Sequence, residues 1–310
     1  MANEKVWTVG ELLAWTTGFL KEHGADSPRL DAEVLLAHVR GCRRIELYTA
    51  FAETPDEATR ARFRDLVRER SRGAPVAYLV GGREFYSLPF RVTPDVLIPR
   101  PETEHLVIRL LDLAGARGCK ASPAASSGES GGADANQAQP RIADVGSGSG
   151  VIAVCAAKHL PRATVSAIDT SAAALEVAKV NAQTHGVDDR VEFFVSDLFA
   201  NVPSGRPYDF IVSNPPYVTS QEWETLARDV RDHEPRAALV AGPRGTEVIE
   251  RLLDQAHERL AVGGWLLTEI SPMLETAVRQ LVERHGGYEL GATVKDLASQ
   301  ARVIQARRRD

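Results

Sequence analysis

Val9, Leu12, Leu13 and Leu20 recur at helical spacing, and Ser27-Pro28 opens a second segment that carries Leu30, Val34, Leu35 and Val39. Gly41 closes that segment, a third follows around Ile45-Glu46-Leu47-Tyr48, and Pro55 starts a last one holding Phe63, Leu66 and Val67. Residues 1–75 therefore predict helices only. The last helix also carries Arg60, Arg62, Arg64, Arg68, Arg70 and Arg72, interleaved with Asp65 and Glu69. That is the pattern of a solvated face, with a docking surface for an acidic partner as the competing reading. From Pro75 to Arg100 the pattern changes. Tyr78-Leu79-Val80, Gly81-Gly82, Glu84-Phe85-Tyr86 and Phe90-Arg91-Val92 predict short strands with a glycine turn, a β-hairpin linker over 76–100.

Leu97-Ile98-Pro99-Arg100-Pro101-Glu102-Thr103-Glu104 then predicts a proline-stiffened helix start, with acids in the first turn, and a helix to about Leu113. Residues 114–140 are dominated by Ala, Ser, Gly and Gln and hold too little apolar surface to offset their ordering entropy, so a disordered insertion is expected. After it the period alternates between strand and helix. Strands are expected at Arg141–Val145, Thr164–Asp169, Val191–Ser196, Tyr208–Ser213 and Trp265–Ile270, with helices between most of them. Two last strands, near Tyr288–Val294 and Arg302–Ala306, have no helix between them and predict a hairpin. The expected product over 101–310 is an α/β domain with a largely parallel sheet and one reversed strand at its end.

Composition narrows the function classes. The chain has 310 residues, long enough for two domains, with 44% hydrophobic and 25% charged residues. A net charge of −5 argues against dependence on nucleic-acid phosphates. Cys42, Cys119 and Cys155 are odd in number and never form a Cys-x-x-Cys pair, so neither a disulfide framework nor a zinc site is expected. Glu4, Lys5 and Glu11 interrupt the first apolar residues, and no apolar run reaches membrane-spanning length. The expectation is a cytoplasmic protein with no membrane association.

The chemistry concentrates in Asp209-Phe210-Ile211-Val212-Ser213-Asn214-Pro215-Pro216-Tyr217. A buried strand ends there in two prolines, which forbid further ladder bonds and leave a stiff tip at a strand's carboxyl end. Asn214 offers a carbonyl oxygen and Pro215 a free backbone carbonyl, two uncharged acceptors suited to the two hydrogens of a planar –NH₂ group. Tyr217 supplies a ring for its flat face. Such an amine is a poor nucleophile, so holding both N–H bonds aims it at an electrophile by positioning. A proline turn that merely closes a strand is the plainer alternative.

A second motif decides between them. Ile142-Ala143-Asp144-Val145-Gly146-Ser147-Gly148-Ser149-Gly150 follows the first strand of the alternation and opens a helix. Where the dinucleotide fingerprint requires a sixth-position glycine, Val151 stands instead, and Asp144 precedes the turn. This suits a nucleoside with an amino-acid tail better than a pyrophosphate. Asp169 ends the next strand, in place for two ribose hydroxyls. Asp197-Leu198 ends the third, in place for an adenine amine and ring. The glycine loop, Asp169 and Asp197 in series point to S-adenosylmethionine.

These residues together resemble class I S-adenosylmethionine-dependent amino-methyltransferases. With Leu97–Glu104, His233-Glu234-Pro235-Arg236-Ala237-Ala238-Leu239 and the helical N-terminal domain, the chain is similar to the peptide chain release factor glutamine methyltransferases (HemK-like). The resemblance implies a Rossmann-like, mostly parallel seven-stranded sheet with one antiparallel strand, preceded by a small all-α substrate-recognition domain and the hairpin linker. It implies methyl transfer to the side-chain amide of the glutamine in the release factor Gly-Gly-Gln motif, acting in translation termination. Asn214, Pro215 and Tyr217 would be catalytic, with Pro216 beside them in the substrate site. Asp144, Gly146, Ser147, Gly148, Ser149, Gly150, Asp169, Asp197, Leu198 and Asn214 would bind the cofactor, with no metal. The enzyme would act as a monomer on release factors, with no direct nucleic-acid partner. Rival substrates for the same chemistry are a ribosomal protein glutamine and the adenine amine of DNA or RNA. Two departures are Ser299 after Asp296-Leu297-Ala298 and Ser271 after Glu269-Ile270, where the family usually has glycine.

Overall fold

The structure is a computed structural model that describes residues 7–117 and 139–310. The chain divides into two compact units: residues 1–82 with 226–233, and residues 83–225 with 234–310.

The first unit is helical: α1 (Val9–Glu22), α2 (Pro28–Arg40), α3 (Glu46–Thr49), α4 (Glu57–Ser71) and α5 (Val76–Val80). Thr8 caps α1 through a reciprocal box, accepting from the Glu11 amide at 3.2 Å while the Glu11 carboxylate accepts from the Thr8 amide at 2.9 Å. Leu13, Leu20, Leu35, Leu36 and Leu47 are fully buried around Phe63, and burying each leucine contributes about 2 kcal/mol. On α4, Arg60 and Arg64 pair with Glu57, Arg68 with Asp65, and Arg72 with Glu69. The arginine face is thus laced by acids of its own helix, and Arg70 turns inward to Asp31 at 2.7 Å.

Residues 78–80 were expected as a strand and are instead the end of α5. Pro75 starts that helix, Gly81 ends it in the left-handed conformation, and it packs on α2 and α4. Packing has overridden the β propensity of Val and Tyr. The hairpin that follows is β1 (Gly82–Phe85) and β2 (Leu88–Arg91). Its turn is not the glycine pair but Tyr86-Ser87, both with positive φ, at 52° and 58°.

The second unit continues with α6 (Glu104–Ala116), β3 (Arg141–Val145), α7 (Val151–His159), β4 (Thr164–Asp169), α8 (Ala172–Thr184), β5 (Val191–Val195) and β6 (Tyr208–Ser213). There follow β7 (Val218–Thr219), α9 (Ser220–Trp223), α10 (Arg228–Arg231, in the stretch that groups with the helical unit), β8 (Val240–Gly242), α11 (Glu247–Arg259) and β9 (Leu260–Glu269). The chain ends with α12 (Glu275–His285), β10 (Tyr288–Leu290), β11 (Val294–Lys295) and β12 (Ala301–Arg308).

The main sheet runs β10-β12-β9-β6-β3-β4-β5, with β11 added on β12. Strands β9, β6, β3, β4 and β5 are mutually parallel, and β12 is reversed against both β9 and β10. The expected mostly parallel sheet with one reversed strand is therefore present, with β11 as an eighth strand beside the expected seven. Phe210, Ile211 and Val212 are fully buried in its middle, as a strand covered on both faces requires. The expected insertion began at residue 114. Residues 114–116 are helical and Ala114 is buried in the core, because α6 carries its apolar stripe one turn further. Most of the remaining insertion lies outside the described residues.

Candidate active site

The parallel pairing brings five strand ends to one edge. Ser213, the last residue of β6, stands opposite Val145 of β3 and Thr268 of β9, and Asp169 closes β4. The glycine loop, Asp169, the tip at Asn214 and Glu269 are thereby neighbours, at the edge where open α/β sheets bind ligands. The Ser213 hydroxyl donates to the Val145 carbonyl at 2.7 Å and ties the two motif-bearing strands together at their ends.

The loop after β3 turns on Gly146 (φ 75°), Gly148 (φ 54°) and Gly150 (φ 79°). The Gly146 and Ser147 amides donate to the Ile168 carbonyl at 2.8 and 3.0 Å, so the loop is held against the end of β4. Asp144 is fully buried beneath it. Its Oδ2 accepts from the Ser147 hydroxyl at 2.6 Å and the Ala153 amide at 3.0 Å, while Oδ1 has no partner. Burial pushes this carboxyl up to about 7, against the pull of those two donors. Asp144 was expected to touch the cofactor. In this structure its bonds are to the loop and to the first turn of α7, and Ser147 and Ser149 are buried with it.

Asp169 ties the loop to the start of the following helix, whose N-cap is Ser171. Its Oδ2 accepts from the Gly148 amide at 2.8 Å and its Oδ1 from the Ser171 amide at 2.9 Å. A carboxylate has about four lone-pair sites, so acceptors remain for hydroxyl groups. Asp197 is exposed and paired through Oδ2 with Arg251, which leaves Oδ1 open to another donor. Leu198 beside it is buried and has a positive φ of 48°. The set fits S-adenosylmethionine: a loop with open space where a Gly148 Cβ would stand, a carboxylate with spare acceptors, and an apolar side chain next to it.

At the tip, the Asn214 side-chain Nδ2 donates to the Thr103 hydroxyl at 3.1 Å. Its Oδ1 has no partner among the described residues. Pro215 is buried and Pro216 half-buried. Tyr217 is half-buried, and burial, then the charge of Glu269, raises its phenol above the usual range. Gly245, with φ 78°, lies against the Tyr217 carbonyl so closely that a Cβ would stand 2.7 Å from it. Any other residue there would displace the tip.

Four residues that build this site have no role assigned to them from sequence, though Thr103, Glu234 and Glu269 lie in stretches compared with the family pattern. Thr103 sits inside the Leu97–Glu104 stretch but assigns itself no role by sequence. Glu234 is buried, accepting from the Ile98 amide at 3.1 Å and Arg100 Nη2 at 2.6 Å, so it pins that stretch in place. Asn181 on α8 donates to the Ser149 carbonyl and to the Arg91 carbonyl, and accepts from the Arg91 amide. Glu269 ends β9 with 2% exposure. An asparagine on the apolar stripe of a helix was the one available hint for Asn181.

Two family models match the chain: "PrmC N-terminal domain" over residues 11–81 and "Methyltransferase small domain" over residues 134–232. The release factor glutamine methyltransferase of Rhodopirellula baltica is 47% identical over 303 residues, which cover 98% of this chain and 97% of that one. The protein of the same description from Chlorobaculum tepidum is 41% identical, covering 91% of this chain and 92% of its own. Among solved structures, the catalytic domain of hMettl16 is similar with a TM-score of 0.52 at 16% identity, over 79% of this chain and 82% of that one, a likeness of fold. No described helix is long and apolar enough to cross a membrane.

Proposed function

This chain belongs to the release factor glutamine methyltransferase family, and we propose that it transfers a methyl group from S-adenosylmethionine to the glutamine side-chain amide of the release factor Gly-Gly-Gln motif. The observation that carries the reading is the Asn214 amide, whose Nδ2 is engaged by Thr103 and whose Oδ1 is left for a donor. That oxygen and the Pro215 carbonyl accept the two N–H bonds of the glutamine amide. Tyr217 packs on the amide plane. When bound, S-adenosylmethionine supplies a methyl on a cationic sulfur, the electrophile that the held nitrogen faces.

The rest of the site does not need a strong base. Forming the N–C bond while the methyl–sulfur bond breaks would leave a neutral thioether, S-adenosylhomocysteine, and a cationic amide nitrogen whose proton is then acidic enough to pass to water. The clamp's work is orientation, for which effective molarities are large. Asp169 takes the ribose hydroxyls, and the loop Gly146-Ser147-Gly148-Ser149-Gly150 takes the amino-acid tail. Asp197 and Leu198 take the adenine, Asp197 through the oxygen that Arg251 leaves open. Asp144 supports that loop from beneath. The helical N-terminal unit recognises the release factor. The enzyme works as a cytoplasmic monomer, with no nucleic acid bound directly and no membrane partner.

The test is a methyl-transfer assay with labelled S-adenosylmethionine. It offers purified release factor beside a variant whose Gly-Gly-Gln is changed to Gly-Gly-Ala. Label on the first and not on the second is expected. Label on a ribosomal protein or on DNA instead would keep the chemistry and overturn the substrate.

A further inference from the structure

Glu269 is a buried carboxyl at the end of β9, directly beside the tip of β6, and the sequence assigns it no role. The parallel register sets Ser213 opposite Thr268, so Asn214 and Glu269 leave the sheet side by side. Glu269 is 2% exposed, and its Oε2 has no hydrogen-bond partner among the described residues. A buried carboxyl oxygen without a donor is unfavourable unless a neighbouring group offsets it. Two hydroxyls face it. Those of Thr103 and Tyr217 lie close enough to hold its ionisation down, against a burial that lifts it to about 7. Glu102 also faces it and raises it, while Arg302 lowers it.

We propose that Glu269 is a positioning residue that fixes the direction of the Asn214 amide through the Thr103 hydroxyl, and the Tyr217 ring through its phenol. A threonine hydroxyl has one proton. When that proton points to the Glu269 carboxylate, the oxygen is left as an acceptor, and the only Asn214 atom it can accept from is Nδ2. Asn214 is therefore held with Oδ1 outward, the orientation the substrate amide requires. Without Glu269 the hydroxyl is free to donate to Oδ1, which turns the amide over and presents two donors to a substrate that is itself a donor. The same carboxyl anchors the phenol of Tyr217, so one buried group orients both side chains of the clamp. This rests on the amide-clamp reading of the site.

The experiment compares Thr103→Val, Thr103→Ser, Glu269→Leu and the Thr103→Val/Glu269→Leu pair with the wild type on release factor. Thr103→Val and Glu269→Leu should each lower kcat by roughly ten- to a hundredfold, with KM for release factor changed by no more than about twofold. Thr103→Ser should restore the rate. The pair should be no slower than the slower single variant, because both remove one relay. A second readout needs no turnover: in protein labelled with 15N at asparagine, the side-chain signals of Asn214, assigned by their loss in Asn214→Ala, should shift in Thr103→Val and in Glu269→Leu alike. If Glu269→Leu does not fold, Thr103→Val and its spectrum still decide. A Thr103→Val variant with wild-type kcat and unmoved Asn214 signals overturns the relay while the function stands. Multiplying losses in the pair would also overturn it. A wild type that labels no release factor would instead sink the functional reading.

Discussion

Asn181 donates its side-chain Nδ2 to the Ser149 carbonyl at 2.8 Å, so helix α8 holds the glycine loop from behind. The same amide group donates to the Arg91 carbonyl at 3.0 Å and accepts from the Arg91 amide at 2.8 Å, which joins the β1–β2 hairpin to the loop. With 1% exposure, no water replaces these bonds.

Asn181→Leu keeps the size and removes all three bonds. Each backbone group left without a partner costs about 1–3 kcal/mol, so a loss of about 3 kcal/mol in unfolding free energy is expected by urea titration. S-adenosylmethionine affinity should fall with it, because the loop loses its brace. A variant as stable as the wild type, with unchanged affinity by calorimetry, would show that the loop is held by β4 alone.

Gly150 is the sharpest steric constraint in the loop. Its φ is 79°, and a Cβ would stand 2.9 Å from the Ala178 Cβ and 3.2 Å from the Ala178 Cα on α8. Left-handed backbone costs a non-glycine residue about 1–2 kcal/mol, and the clash with α8 adds to it. Gly150→Ala should destabilise the protein by about 2 kcal/mol and abolish detectable cofactor binding. Restoring space with Ala178→Gly should recover part of the stability but not the backbone cost, which thermal unfolding of the double variant would resolve.

The elements that bear chemistry were legible in the sequence because each is local. The glycine turn, the Asn-Pro-Pro-Tyr tip and the acids at strand ends each fix their conformation within a few residues, and the strand–helix alternation set the sheet that gathers them. The parts that escaped are those settled by distant partners. Tyr78-Leu79-Val80 reads as strand by residue type, and only packing on α2 and α4 makes it part of the helix Val76–Val80. Tyr86-Ser87 forms a left-handed turn that no glycine marks. Asn181 answers to Arg91, ninety residues earlier, and Glu234 to Ile98 and Arg100. Nothing local to either carries that information.

Glu269 gives a pH dependence of stability with a definite sign. Its pKa is raised from 4.5 to about 7 in the folded protein, so between those values the folded state binds more proton than the unfolded one. Stability contributed by this group is therefore present below about pH 4.5 and is lost as pH rises through about 7. Glu269→Gln cannot ionise. Relative to wild type it should gain about 2–3 kcal/mol on going from pH 5 to pH 8.5, read by urea unfolding at each pH. A constant difference across that range would mean that the carboxyl ionises in the fold as easily as in the unfolded chain.

Asn214 and Asp169 separate catalysis from binding. In the proposed clamp Asn214 holds the acceptor amide, and its side chain bonds Thr103 and not the glycine loop, whereas Asp169 bonds the Gly148 amide and the amide of Ser171, the N-cap of α8. Asn214→Ala should lower kcat by at least about a hundredfold, since misorientation of one reacting group by about 1 Å already costs that much. Its cofactor affinity by calorimetry should stay near the wild-type value. Asp169→Ala should do the reverse in order of effect: it loses the ribose acceptor and the loop cap together, so binding weakens first and turnover recovers in part at saturating cofactor. Near-normal turnover by Asn214→Ala would remove the amide clamp from the mechanism, and unchanged affinity in Asp169→Ala would move the ribose contact to another residue.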